Sequence, residues 1–91
     1  MSEISIKILS IHYPERYAIR RLVTLAEQEL QAEHPGLNVS ITEINDPSLI
    51  CKYASVIILP TLVINEQVAC TGRFPSKEEV TAWLRQSISS D

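Results

Sequence analysis

The order of hydrophobic and polar side chains predicts a chain that alternates strands and helices. Residues 3–11 alternate apolar and polar side chains as far as Ile8 and then become more continuously apolar, which is typical of a strand. Pro14 suits the first turn of a helix, which is predicted to run to residue 33 because no further glycine or proline interrupts it. Residues 37–44 alternate again and predict a half-buried strand. The side chains expected on the core side of the long helix are Ala18, Ile19, Leu22, Val23, Leu25, Ala26 and Leu30.

The middle of the chain predicts a short helix followed by a strand. Asp46 is an N-cap residue directly before Pro47, so a short helix is predicted over Pro47–Ala54. The β-branched run of residues 55–64 contains Pro60, which a central strand does not tolerate, and the strand therefore begins at or just after Pro60. The expected core face of the short helix consists of Leu49, Ile50, Tyr53 and Ala54.

A hairpin and a third helix complete the pattern. A tight turn at Asn65–Glu66 or Glu66–Gln67 leads into a last strand over residues 68–71. Ser76 and Glu79 have the spacing of a capping box, so the last helix is predicted to begin there. Its apolar stripe consists of Val80, Trp83, Leu84 and Ile88.

The element order β-α-β-α-β-β-α indicates one α/β domain over residues 1–88, with 89–91 as a frayed tail. The first strand, helix and strand predict a right-handed parallel crossover. With the most apolar strands in the centre, the result is a four-stranded mixed sheet in the spatial order second, first, third, fourth. The first and third helices are expected on one face of this sheet and the second helix on the other.

Composition and charge narrow the function classes. The 91 residues carry a formal net charge of -3, which argues against a nucleic-acid partner because phosphate contacts dominate that affinity. The acidic start and the lack of a long apolar run argue against a secretory signal and a membrane span. We therefore expect a cytoplasmic protein without nucleic-acid or membrane partners.

The cysteines and histidines predict neither a disulfide framework nor a metal site. Cys51 and Cys70 are nineteen positions apart, so the chain contains no Cys-x-x-Cys. His12 and His34 are not spaced as pairs with them in the way that structural zinc sites require. No metal or other cofactor is expected.

Two segments carry a resemblance to a known family. Together with the element order, the segments 59–65 (Leu-Pro-Thr-Leu-Val-Ile-Asn) and 72–79 (Gly-Arg-Phe-Pro-Ser-Lys-Glu-Glu) resemble the thioredoxin/glutaredoxin superfamily. More narrowly, the chain is similar to the small glutaredoxin-like redox-disulfide proteins of archaea and bacteria. The resemblance implies a thioredoxin-like fold.

The resemblance also implies where a dithiol would stand. In that family a Cys-x-x-Cys lies at the start of the first helix, where the helix dipole lowers a thiol pKa and supplies the nucleophile for disulfide exchange. The best placement puts Tyr13 and Arg16 at the two cysteine positions. Neither a phenol nor a guanidinium exchanges disulfides, so we do not expect dithiol oxidoreductase activity.

A binding groove is the main candidate site. Thioredoxin-like proteins place a cis-proline opposite the first-helix loop, and the residue before it offers main-chain hydrogen bonds to an extended peptide. The resemblance therefore implies a cis Leu59–Pro60 bond. The residues expected to line this groove are Tyr13, Pro14, Arg16, Tyr17, Leu59, Pro60 and Thr61. In an alternative interpretation, Tyr13 only fills the gap that the lost disulfide leaves.

Two weaker candidates remain. Cys51, on the flank of the short helix, or Cys70, on the last strand and on the same face as Val68, could act as a single reactive thiol. The first-helix N-terminus with His12 and Arg16 could hold an anion, although Glu15 argues that this turn is already neutralised.

These observations lead to one main functional prediction and two alternatives. The main prediction is a redox-inactive thioredoxin-like module that binds a protein or peptide through the cis-proline groove. The first alternative is a redox protein that uses Cys51 or Cys70 alone. The second is a KaiB-like adaptor, since KaiB also resembles thioredoxin without its dithiol. Oligomeric state is not predicted.

Overall fold

A computed structural model of the chain describes residues 3–52 and 60–89. Its elements follow the predicted order. They are β1 (Glu3–Leu9), α1 (Tyr13–Glu33), β2 (Asn38–Ile44), α2 (Pro47–Ile50), β3 (Thr61–Ile64), β4 (Gln67–Thr71) and α3 (Lys77–Ser89).

The four strands form one mixed sheet in the order β2-β1-β3-β4, which confirms the predicted topology. β1 runs parallel to β2 and antiparallel to β3, and β4 pairs antiparallel with β3. β1 lies at the centre because Ile4, Ile6 and Ile8 fill the main core while Leu9 is buried on the other face. A strand that is apolar on both faces is stable only where both faces are covered.

The two faces of the sheet are covered by different helices. α1 and α3 contribute Val23, Leu30, Val80 and Leu84 to the main core. α2 contributes Ile50 to a smaller cluster that also contains Leu9 and Val63. The predicted division of the helices between the faces is therefore confirmed.

Two leucines expected in the core are exposed. Leu25 is 43% exposed because the buried stripe of α1 is centred on Val23 and Ala26, and Leu25 lies about 130° around the helix from that centre. Leu49 is 40% exposed, since the described part of α2 turns Ile50 toward the sheet. α2 ends at Ile50 rather than at residue 54, and residues 53 and 54 lie outside the described part of the chain.

The β3–β4 hairpin turns at Asn65 and Glu66, the first of the two predicted alternatives. Both residues have positive φ, 50° and 68°, as a two-residue turn of a twisted hairpin requires. The turn is tied to β1, because the backbone N–H of Ser5 donates to Asn65 Oδ1 at 2.9 Å and Lys7 pairs with Glu66. These contacts stabilise a turn that lacks the glycine usually found at positions of positive φ.

A β-bulge at Ala69 interrupts the pairing of β3 with β4. Leu62 pairs with Cys70 and Val63 pairs with Val68, so Ala69 has no partner in the register. Cys70 is 6% exposed whereas Val68 is 43% exposed. The expected shared face of Cys70 and Val68 is not found, because the bulge breaks the alternation on which it depended.

The capping box at the start of α3 is confirmed. The backbone N–H of Glu79 donates to Ser76 Oγ at 3.1 Å, and the backbone N–H of Ser76 donates to Glu79 Oε1 at 3.0 Å. On the predicted apolar stripe Val80 and Leu84 are fully buried, and Trp83 is partly buried against the main core. None of the described helices is long and apolar enough to cross a membrane.

Candidate functional site

The candidate site lies at one end of the sheet, where β1 and β2 end and β3 begins. The last residue of β1, Leu9, pairs with Ile44 at the end of β2 and with Thr61 at the start of β3. The loop after β1 therefore begins beside the residue that precedes β3, which is Pro60. This register brings the first turn of α1 and the proline to the same end of the molecule.

Two tyrosines are exposed at the start of α1. The ring centres of Tyr13 and Tyr17 are 6.3 Å apart with an interplanar angle of 29°, and the rings are stacked. Tyr13 is 62% exposed and Tyr17 is 53% exposed. Pro14, between them, is also exposed. The interpretation that Tyr13 fills the space of a lost disulfide is not supported, because most of its side chain faces solvent.

Arg16, the third predicted member of this group, points inward. Its Nε donates to Glu43 Oε1 at 3.1 Å, its Nη1 donates to the carbonyl of Ser10 at 2.9 Å, and its side chain is 11% exposed. Arg20 Nη1 donates to the second oxygen of Glu43 at 2.8 Å. The Arg16 guanidinium also lies over the Tyr13 ring, with Cζ 5.6 Å from the ring centre. Arg16 therefore links the first turn of α1 to β2 and makes a cation–π contact with Tyr13.

Glu43 is a residue of this site that sequence reasoning did not single out. It lies on the helix-facing side of β2, the side on which Val39 and Ile41 pack against the main core. A carboxylate on the inner side of a strand needs a cation partner. That requirement was the available signal, and Arg16 and Arg20 meet it.

The first turn of α1 contains a carboxylate of its own, Glu15. Ser10 Oγ donates to the Glu15 carboxylate and accepts the backbone N–H of His12 at 3.0 Å. Arg16 is paired with Glu43, and the Glu15 carboxylate adds a negative charge to the first turn, so both oppose the binding of an external anion here. The anion site considered from the sequence is not supported.

The proline side of the predicted groove is only partly described. Pro60 is buried, and its carbonyl accepts the backbone N–H of Gly72 at 2.9 Å. Thr61 is 1% exposed, and its hydroxyl lies 2.9 Å from the hydroxyl of Thr71, so Thr61 links β3 to β4. Leu59, and with it the Leu59–Pro60 bond, lies outside the described residues.

The two thiols are separate and differ in exposure. Cys51 caps the C-terminal end of α2 and is exposed, whereas Cys70 is buried; both are free. Burial raises the pKa of the Cys70 thiol, which donates to the carbonyl of Arg73 at 3.4 Å. A thiol with a raised pKa is mostly protonated near neutral pH and is a poor nucleophile. Cys51 is therefore the better thiol candidate.

An apolar groove continues from Tyr17 along the outer side of α1. It has a volume of about 370 Å³ and is lined by Tyr17, Ala18, Arg21, Leu22, Leu25 and Phe74. Phe74, on the loop before α3, is 50% exposed. The sequence did not predict this groove, because Leu25 was expected in the core and Phe74 was noted only as part of the family segment. Within residues 3–52 and 60–89 no cluster of three or more metal-ligating side chains is found.

Comparison with known families identifies the class of protein. A thioredoxin-domain family model matches residues 17–85, which is most of the chain. The chain therefore belongs to the thioredoxin-domain family. Tyr13 and Arg16 lie just before the matched segment. A search of curated proteins found no match.

Proposed function

We propose that this member of the thioredoxin-domain family is a binding module for a protein or peptide and does not catalyse dithiol-disulfide exchange. The observation that carries the proposal is the exposed stack of Tyr13 and Tyr17 at the start of α1. In the family that the sequence resembles, this turn carries the cysteine pair. Here it carries an aromatic surface.

The chemistry of this turn supports a loss of the exchange reaction. A tyrosine hydroxyl does not attack a disulfide, and an arginine remains a fixed cation at neutral pH. Arg16 is also held by Glu43 and by the carbonyl of Ser10. Arg16 therefore stabilises the local structure and takes no part in thiol chemistry.

Two exposed tyrosines are suited to recognition. A tyrosine offers a large apolar ring and a hydroxyl while losing little conformational entropy, and tyrosines are enriched at protein interfaces. Tyr13 and Tyr17 lie at the end of the sheet at which β3 begins after Pro60. In the family that the sequence resembles, an extended peptide binds at the proline that precedes this strand, which is the same end of the sheet. We also propose that the protein acts in the cytoplasm, as expected from the sequence.

The two alternatives predict different behaviour. A single-thiol redox protein would depend on Cys51, which is exposed, and Cys51→Ser would abolish its exchange with glutathione disulfide. A KaiB-like adaptor would also bind a protein through a surface of the fold, and binding that does not depend on the tyrosine pair would favour it. Substitution of the tyrosines separates this adaptor from the main proposal.

The test is a selection of displayed random dodecapeptides on the immobilised chain. Enriched peptides would be synthesised with a fluorescein label, and Kd measured by fluorescence anisotropy. We expect Tyr17→Ala to weaken binding by about 5- to 30-fold, the loss typical of an interface aromatic. Leu49→Ala, which removes a comparably exposed apolar side chain from α2, should leave Kd unchanged. Failure to enrich any peptide, or equal binding by Tyr13→Ala, Tyr17→Ala and the wild type, would contradict the proposal.

A further inference from the structure

The apolar groove beside the tyrosine pair is lined by large apolar side chains that are exposed to solvent. Three of its side chains, Tyr17, Leu25 and Phe74, are 43 to 53% exposed although they are large and apolar. Half-buried Ala18 and Leu22 lie between them and form the floor. Contiguous exposed apolar side chains of this kind mark interaction sites.

The rim of the groove is positively charged. Arg21 lines the groove, is exposed, and forms no ion pair with a described residue. A second depression of about 240 Å³ shares Tyr17, Arg21 and Leu25 with the groove and adds Arg20. The Arg20 side chain is 48% exposed even though it contacts Glu43. This surface is therefore cationic on a chain whose net charge is -3.

We propose that the apolar groove, defined by Tyr17, Ala18, Arg21, Leu22, Leu25 and Phe74, docks an acidic peptide segment. Such a segment places one or two large apolar side chains between Leu25 and Phe74 and a carboxylate on Arg21. The guanidinium accommodates a carboxylate through two parallel hydrogen bonds, which fixes the orientation of the segment. The inference rests on the proposed binding function and names the chemistry of the partner.

Size and charge argue against a second copy of the chain as the occupant. A two-fold contact centred on this groove would place the positively charged rims of the two copies against each other, and like charges at an interface oppose association. The groove is also small. It has six lining residues, whereas a stable interface usually involves about 20 to 30 residues on each side. A volume of about 370 Å³ lies at the lower end of the range of ligand pockets, which suits a few side chains of a peptide.

The experiment uses the fluorescein-labelled dodecapeptides that the selection on the wild-type chain enriches. We expect these peptides to combine a Leu, Phe or Trp with an Asp or Glu within four positions. Arg21→Glu should weaken binding by about ten-fold or more, and Phe74→Ser by a similar factor, as for hot-spot side chains. Arg21 and Phe74 are both exposed, so these variants should fold, and urea denaturation would verify this.

Two controls lie on the other face of the sheet, at α2 and the turn after it. Lys52→Glu makes the same charge reversal at an exposed residue, and Leu49→Ser removes an exposed apolar side chain. Both should leave Kd unchanged. Replacing the Asp or Glu of the peptide with Asn or Gln should weaken its binding to the wild type. The same replacement should not weaken its binding to Arg21→Gln. This double-mutant cycle isolates the contact between the carboxylate and Arg21.

Several outcomes would overturn the inference, and they are distinct from failure of the proposed function. If Tyr13→Ala weakens binding while Arg21→Glu and Phe74→Ser do not, the chain is a binding module but this groove is not the site. Enrichment of basic peptides would also overturn it, as would a wild-type dimer in sedimentation that Phe74→Ser converts to a monomer. If no peptide is enriched, both proposals fail.

Discussion

The ion pairs of Glu43 with Arg16 and Arg20 should stabilise the fold more than the exposed ion pairs do. Glu43→Gln keeps the shape of the side chain and removes its charge. Arg16, which is 11% exposed, then loses its carboxylate and has limited access to water. We expect the free energy of unfolding to fall by about 1.5 to 3 kcal/mol, the usual value for hydrogen bonds to a charged group. The loss should not reach the 3 to 5 kcal/mol typical of a fully buried pair, because Glu43 remains 25% exposed.

The matched control is Glu29→Gln, the same chemical change in an exposed pair. Glu29 lies 2.8 Å from Lys77 Nζ, and the two side chains are 48 and 41% exposed. Solvent screens such a pair, so little change is expected. Urea denaturation followed by circular dichroism gives the midpoints, and a small domain with a slope near 1 kcal/mol/M should show a shift of roughly 1.5 to 3 M for Glu43→Gln. Equal midpoints for Glu43→Gln and Glu29→Gln would refute the role of Glu43.

Three further predictions concern the hairpin, the thiols and the start of α3. Glu66 has a φ of 68°, so Glu66→Gly should raise the free energy of unfolding by about 0.5 to 1 kcal/mol; a lower urea midpoint would show that the ion pair of Glu66 outweighs the backbone cost. Iodoacetamide at pH 8 should alkylate Cys51 well before Cys70, whose pKa burial raises; mass spectrometry that found the reverse order would contradict this assignment. Hydrogen bonding to Arg73 lowers the pKa of Glu79 from 4.5 to about 2, so its stabilisation exists above the unfolded pKa and disappears as pH falls from about 4.5 to about 2. The difference in Tm between wild type and Glu79→Gln should therefore shrink across that window, and a constant difference would count against the pairing.

The fold could be predicted from the sequence because its signals are local and agree with one another. Alternation placed β1 and β2, Pro60 fixed the start of β3, and the capping box of Ser76 and Glu79 fixed the start of α3. Each of these signals depends on residues close together in the chain. The right-handed crossover rule, together with the placement of the most apolar strands in the centre, then predicted the strand order that is observed.

The candidate site was harder to predict because its contacts join distant parts of the chain. Tyr13 and Tyr17 were expected at the binding groove because of the family resemblance, but the hydrogen bond of Arg16 to Glu43 links residues 27 positions apart. The groove depends on Phe74, from the loop before α3, lying against α1. A helical wheel that spans half the circumference also assigned Leu25 to the core, although only the centre of that stripe is buried. Such contacts follow from tertiary packing and not from local pattern.

The most direct test of the central claim is the rate of insulin reduction by dithiothreitol in the presence of the protein. The account predicts that the wild-type chain adds nothing to the uncatalysed rate, because the family resemblance places Tyr13 and Arg16 at the positions of the cysteine pair. Tyr13→Cys combined with Arg16→Cys should introduce activity, since a thiol then lies at the N-terminus of α1. Acceleration by the wild type that disappears in Cys51→Ser or Cys70→Ser would contradict the account.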